Sequence, residues 1–300
     1  NRLFHGHDSM KEEIFDRYIQ AGAAAKKILT AGADRIKPDV PLLEVGTFVE
    51  DMIIEQGFQI AFPANISLNE AAAHDTPRPD DTRTFTQGDM VKLDIGVHLD
   101  GYIADTACTV DLGDQPLLRE ASIVARDAAI SAVRPGVAIG TLGTIVAQEI
   151  KSRGFLPVAN LTGHGLDHYC LHKGPNVPNI PGTGGAILEE DMVVAIEPFA
   201  TTGTGFVHDG KREEIFGQVV NRPVRLPAAR KILKEIEERN GLPFARRHLH
   251  VKSVDLGLAR LVHDGILRSY PVLCDVSGSY VSQAEHTMIV TDDGCIITTA

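Results

Sequence analysis

The chain has 300 residues, a formal net charge of −11 and 43% hydrophobic residues. That length supports one large core, and that charge excludes broad electrostatic attraction to nucleic acid or an anionic membrane. The four cysteines, Cys108, Cys170, Cys274 and Cys295, lack paired zinc-site spacing and read as reduced thiols. No signal peptide or apolar run of transmembrane length occurs. The basic stretches at 222–231 and 246–250 read as solvated surface.

In chain order, residues 1–9, with His5-Gly-His7, read as native sequence or a tag-like extension and receive no function. Apolar spacing at Ile14, Tyr18, Ala21, Ala25 and Ile28 predicts a helix over 10–33. A second helix is expected over 41–56, closed by Gly57. Alternation on both sides of Leu99-Asp100-Gly101 predicts a β-hairpin near 90–110. Helices follow at about 116–133 and 140–153, then a Pro- and Gly-rich loop at 176–185 and a strand leading to Glu197. Charged amphipathic helices are expected over 227–240 and 253–264, with a small β-wing at 266–272. These last elements form a mostly helical insertion, residues 206–276, whose expected role is to wall a cleft. The glycine groups at 182–185 and 202–205 lack the context of a nucleotide loop.

An internal repeat bears on the fold. Residues 36–58 align without gaps on 133–155, with Pro38/Pro135, Gly46/Gly143, Thr47/Thr144, Gly57/Gly154 and Phe58/Phe155 identical. Each half then reaches an Asp-Met-Val strand, at Asp89 and Asp191. A single duplication is not a solenoid. It predicts an α+β fold of two similar helix-plus-sheet halves about a pseudo-twofold axis, with a site between them.

The chemistry concentrates on five side chains. A hairpin loop centred between Leu99 and Asp100 would set Asp94 directly opposite Asp105, roughly 5 Å apart at Cβ. Asp94 lies in the mostly apolar Val91-Lys-Leu-Asp94-Ile-Gly-Val97, so a solvated edge pair is the poorer explanation. Like charges that close call for something positive between them. Glu197 follows the apolar run Met192-Val-Val-Ala-Ile196. Glu285 shares a predicted strand face with Gln283 and Thr287, and His164 sits between glycines in Leu161-Thr-Gly-His164-Gly-Leu166. Singly, each has an ordinary explanation. Together, two Asp, one His and two Glu suit a pair of divalent cations roughly 3.5–4 Å apart.

With these residues the chain resembles the methionine aminopeptidases, and within them the type 2 branch. The segment Phe62-Pro-Ala-Asn-Ile-Ser-Leu-Asn-Glu-Ala-Ala-Ala-His74, the histidines His164 and His172, and Tyr270-Pro-Val-Leu-Cys-Asp-Val-Ser-Gly-Ser-Tyr280 carry the likeness, which covers nearly the whole chain from about Met10. Prolidases and other pita-bread metallohydrolases share the five ligands. The absence of a separate N-terminal domain and the long Glu197–Glu285 interval, roomy enough for a helical insertion, favour type 2. The absence of a polybasic N-terminal extension favours an archaeal form.

The resemblance implies a pita-bread (creatinase/aminopeptidase-like) catalytic domain from 10–205 and 277–300. It implies two divalent metal ions (Co, Mn, Fe, Zn or Ni), bridged by Asp105 and Glu285, with Asp94 completing one site and His164 and Glu197 the other. Glu197 would accept a proton from the attacking water. His74 and His172 would hydrogen-bond the scissile amide and the developing oxyanion, and Phe62 and Tyr270 would help receive the methionine side chain. Implied with these are a cytoplasmic monomer acting on the N-terminal methionine of nascent peptides, small second residues, transient ribosome contact, and no specific nucleic acid or membrane partner. Type 2 members are alkylated at the counterpart of His74 by spiro-epoxides of the fumagillin class. The alternatives are a proline-directed metallopeptidase of the same superfamily and a non-catalytic RNA- or protein-binding relative.

Overall fold

The computed structural model describes residues 10–182 and 185–300; the tag-like reading of 1–9 lies outside them. Helix α1 (Glu12–Arg35) buries Tyr18, Ala21, Ala25 and Ile28 of the stripe read from the sequence, with Ile14 half-buried. Helix α2 (Leu42–Glu55) buries Leu42, Val45, Val49 and Ile53. Strands β1 (Gln59–Leu68), β2 (Ala71–Ala73), β3 (Met90–Leu99) and β4 (Tyr102–Asp111) follow. A three-stranded antiparallel sheet, β1-β3-β4, packs through Ile66, Val91, Leu93 and Ile95 on both helices. That packing forms the first core.

The second half repeats the plan. Helices α3 (Pro116–Ser131) and α4 (Ile139–Ser152) precede β5 (Leu156–Pro157), β6 (Thr162–Asp167), β7 (Cys170–Pro178), β8 (Val193–Ile196) and β9 (Phe199–Thr201). Helix α4 begins and ends on the residues that the repeat pairs with the ends of α2. Gly57 and Gly154 both take φ +85° after their helices, a turn that favours glycine. Each half also has the same isolated bridge, Pro41 to Thr84 and Ala138 to Ile187. The loop expected at 176–185 begins late, because β7 runs on to Pro178.

Two details differ from the expected hairpin and strand. The β3–β4 turn is Asp100-Gly101, at φ +50° and +87°, and this pair supplies the positive φ that a tight two-residue turn demands. Leu99 therefore pairs with Tyr102, Gly96 with Asp105 and Asp94 with Ala107. Asp94 and Asp105 are diagonal neighbours, not directly opposed. Side chains alternate with period two, so this two-residue shift keeps both on one face. The expected strand around Glu285 is also broken, into β13 (Val281–Gln283) and β14 (His286–Val290). At the break the Glu285 amide donates to the Ala107 carbonyl at 3.1 Å. That bond stitches the last strands onto the first half. With β15 (Cys295–Ile297), β14 completes a second sheet, β15-β14-β8-β6-β7.

Between β9 and β13, residues 206–276 carry β10 (His208–Gln218), α5 (Pro227–Glu235), β11 (Phe244–Ala245), α6 (Val254–His263) and β12 (Leu267–Cys274). Ile232, Phe244, Leu258, Leu261 and Ile266 give this segment a core of its own. The expectation of a mostly helical insertion is incomplete, because an antiparallel β10–β12 ribbon frames the two helices. The first part of β10, His-Asp-Gly-Lys-Arg-Glu, mixes exposed and half-buried residues and carries no apolar alternation. Strand β12 pairs back onto β2, which ties the segment to the first half. Among the described residues no helix is long and apolar enough to cross a membrane.

Candidate metal centre

Both halves send acids to one place. Asp94 and Asp105 project from β3 and β4, His164 from β6, Glu197 from just beyond β8, and Glu285 from the break between β13 and β14. One ligand atom each from Asp105, His164 and Glu285 lies within 4.8 Å of the others, and the same holds for Asp94, Glu197 and Glu285. Glu285, fully buried, belongs to both triads. His164 Nε2 stands 3.4 Å from Asp105 Oδ2 and 3.5 Å from Glu197 Oε1. Its Nδ1 lies 3.1 Å from the Gly165 carbonyl oxygen, which fixes the proton there and turns the Nε2 lone pair toward the acids. All five residues read as ligands are brought together.

The electrostatics call for cations. Asp94 Oδ1, Asp105 Oδ1 and both Glu285 carboxylate oxygens are buried without a hydrogen-bond partner. Burying charges this way costs several kcal/mol per ion unless opposite charge is supplied. Burial first, then the charge of Asp105, raises the pKa of Asp94, Glu197 and Glu285 well above the carboxylate range. Oxygen-rich sites with one imidazole suit hard or borderline divalent cations. The residues fit the group.

One member of the site has no role in the sequence reading. Gln283 Nε2 donates to Asp94 Oδ2 at 3.1 Å and to Glu197 Oε2 at 3.2 Å, so it orients two carboxylates at once. The only signal for it was its shared strand face with Glu285.

A pH dependence follows from the raised carboxyls. In the metal-free protein their contribution to stability is full below the unfolded carboxylate pKa and is lost as pH rises through the folded values. Cation binding needs them ionised, so protons compete with metal and affinity grows with pH. A divalent metal should therefore raise Tm more at about pH 8 than at about pH 5.5, which scanning calorimetry with and without metal can measure. A shift that is equal at both values, or larger in acid, would separate metal binding from these carboxyls.

Above the acids lies a cavity of about 390 Å³, lined by Phe62, His74, His172 and Tyr270 together with Asp94, Asp105, His164 and Glu197, while Glu285 is fully buried. His172 meets His164 edge to face with ring centroids 4.6 Å apart, and His74 meets Tyr270 likewise at 5.6 Å. Burial drives the pKa of His74 down to about 4, and burial followed by the His164 charge drives that of His172 down to about 3. Both rings are neutral at physiological pH. Phe199, Ile215 and Arg268 also line the cavity. Ile215 and Arg268 come from the ribbon, where nothing in the sequence distinguishes them from ordinary strand residues.

Carboxylates and imidazole converging under a cleft between duplicated halves define a metal-dependent hydrolase. Residues 16–292 match the model of metallopeptidase family M24. A methionine aminopeptidase of Archaeoglobus fulgidus is 50% identical over 291 residues, covering 97% of this chain and 100% of that protein. One of Pyrococcus horikoshii is 45% identical over 291 residues, 95% and 99% of the two chains. The chain belongs to metallopeptidase family M24, among its archaeal-type methionine aminopeptidases.

Among solved structures, the methionine aminopeptidase of Rickettsia prowazekii matches with a TM-score of 0.71 at 23% identity, over 97% of this chain and 98% of that one. A thermophilic Arx1 matches with a TM-score of 0.85 at 17% identity, over 97% and 91%. At these identities the two structures show the shared pita-bread fold alone.

Proposed function

We propose that this chain removes the N-terminal methionine of nascent polypeptides as a type 2 enzyme, with two divalent cations held by Asp94, Asp105, His164, Glu197 and Glu285. The observation that carries the reading is the pair of overlapping ligand triads that share Glu285 and leave four carboxylate oxygens without partners. Divalent cations bound there supply Lewis acidity and a strong oxygen nucleophile at neutral pH. Asp94, Asp105, Glu197 and Glu285 would hold the cations through carboxylate oxygens, and His164 through its ring nitrogen. Glu197, oriented by Gln283, accepts the proton of the attacking water. His74 and His172, neutral and on the cavity wall, hydrogen-bond the scissile amide and the developing oxyanion. Phe62 and Tyr270 receive the methionine side chain, and the four carboxylates nearly cancel the charge of the cations, leaving room for a neutral or cationic peptide N-terminus. Residues 10–205 and 277–300 act as the catalytic unit, walled by 206–276. On this reading the enzyme acts in the cytoplasm, as a monomer, with Co, Mn, Fe, Zn or Ni.

Substrate selectivity tests the reading against a proline-directed enzyme. The histidines close on the scissile bond, so Met-Ala-Ser should exceed Met-Lys-Ser in kcat/KM by roughly 100-fold or more, about 2.7 kcal/mol. Both should be compared with an X-Pro dipeptide. Faster hydrolysis of X-Pro, or equal rates on the two Met peptides, would contradict the assignment.

A further inference from the structure

The segment 74–77 leaves β2 and turns at the rim of the cavity. His74 sits at φ +65°, a left-handed backbone that an L-residue keeps only where its surroundings dictate it. Part of the restraint is local. The Ile66 amide donates to the Asp75 carbonyl at 2.7 Å, and Thr76 Oγ1 donates to the Ala64 carbonyl at 2.7 Å.

The rest comes from the 206–276 segment. Arg247 Nη1 donates to Thr76 Oγ1 at 2.5 Å and to the Pro77 carbonyl at 3.2 Å. On the other flank, Arg212 Nε lies 3.5 Å from Asp75 Oδ1, while its Nη2 bonds Asp81 Oδ2 at 3.2 Å. Asp75, only 3% exposed, is gripped as well by both outer nitrogens of Arg83, at 2.7 and 3.2 Å. Strand β12 completes the enclosure through its pairing with β2 and the Tyr270 ring against His74.

We propose that the 206–276 segment sets the orientation of His74 through two positioning residues, Arg247 acting on Thr76 and Pro77 and Arg212 acting on Asp75. The proposal rests on the catalytic role given to His74 above.

Arg247 is itself fixed from behind. Its Nη2 donates to Glu50 Oε1 on α2, which also accepts from the Ala64 amide at 3.0 Å. Glu50 Oε2 accepts from His248 Nε2 at 2.9 Å. The direction of that bond is settled by His248 Nδ1, which accepts from Arg239 Nη2 at 3.1 Å and from the Ala245 amide at 3.2 Å. The proton must then sit on Nε2. Burial would neutralise Glu50, but His248 and Arg247 outweigh it and hold the carboxylate ionised. A buried, hydrogen-bonded group of this kind has one favoured geometry, because each member loses partners if it moves. The Arg247 fork therefore transmits a fixed position from α2 to Thr76, two residues from His74. Neither arginine lines the cavity, so each acts on it through the backbone it holds.

A purely structural bridge would weaken the whole site irrespective of His74, whereas a positioning device acts through His74 alone. A double-mutant cycle separates the two. Arg247→Met, Arg247→Lys, His74→Ala and the double variant are assayed on Met-Ala-Ser with saturating metal, well below each Tm. Arg247→Met should lower kcat about tenfold or more with KM within about twofold, and Arg247→Lys should restore part of the loss. In the His74→Ala background the same change should cost less than about twofold. An equal loss in both backgrounds, or no loss in either, overturns the proposal. An unchanged kcat in His74→Ala alone instead overturns the role of His74 and, with it, the reason for positioning it. If Arg247→Met does not fold, Arg212→Gln, at the more exposed contact, runs through the same cycle under the same criteria.

Discussion

Asp105→Asn should lower kcat/KM on Met-Ala-Ser by roughly 10³-fold or more, about 4 kcal/mol of transition-state stabilisation, while the protein remains folded. Asp105 is 4% exposed, its Oδ1 has no partner, and its Oδ2 lies near His164 Nε2. An amide there keeps the shape but removes the charge that attracts a cation from a shared position. The backbone does not depend on that side chain. The Asp105 amide donates to Thr287 Oγ1 at 3.0 Å, and the same hydroxyl donates to the Asp105 carbonyl at 2.8 Å. Removing one like charge from a crowded acidic cluster also relieves repulsion, so the metal-free variant should match or exceed the parent in Tm. Kinetics under metal titration and a melting curve check both halves. Activity within tenfold of the parent would take Asp105 out of the shared position, and a collapsed Tm would make it a structural residue.

The second large effect concerns His74. Its removal by His74→Ala should cost kcat about 10²–10³-fold, the scale for loss of one donor aimed at developing charge, with KM changed only a few-fold. The ring is neutral above about pH 4 because burial opposes the imidazolium. A neutral imidazole carries a free lone pair on one of its two nitrogens. A spiro-epoxide of the fumagillin class should therefore alkylate His74 once per chain, at a rate that does not rise between about pH 6 and 8. Intact-mass measurement and peptide mapping locate the adduct. Labelling at another histidine, or a His74→Ala variant with parental kcat, would contradict the role.

The halves were legible in the sequence because duplication preserves positions that local stereochemistry constrains. Gly57 and Gly154 close α2 and α4 in the same conformation, and the helix bounds coincide under the repeat. The clustering of acids was legible because a carboxylate inside an apolar strand is chemically conspicuous, as Asp94 is. The hairpin register was not, since Leu99-Asp100-Gly101 offers two loop centres and only the backbone decides that Asp100 and Gly101 both take positive φ. Gln283 and Glu50 escaped for another reason. A glutamine in an alternating strand and a glutamate beside Asp51 in a helix both read as ordinary polar positions. Their meaning comes from partners far along the chain, Asp94 and Glu197 for the first and Arg247 and His248 for the second.

The most direct measurement is metal titration of the chelator-dialysed protein, followed by Met-Ala-Ser turnover, with metal binding read in parallel by calorimetry. The convergence of Asp94, Asp105, His164, Glu197 and Glu285 predicts negligible turnover without metal, recovery on adding one divalent ion species, and a binding stoichiometry of about two per chain. That binding should be lost or halved in Glu285→Gln, because Glu285 belongs to both triads. Full turnover by the dialysed protein in the presence of chelator, or unchanged binding in Glu285→Gln, would contradict the account.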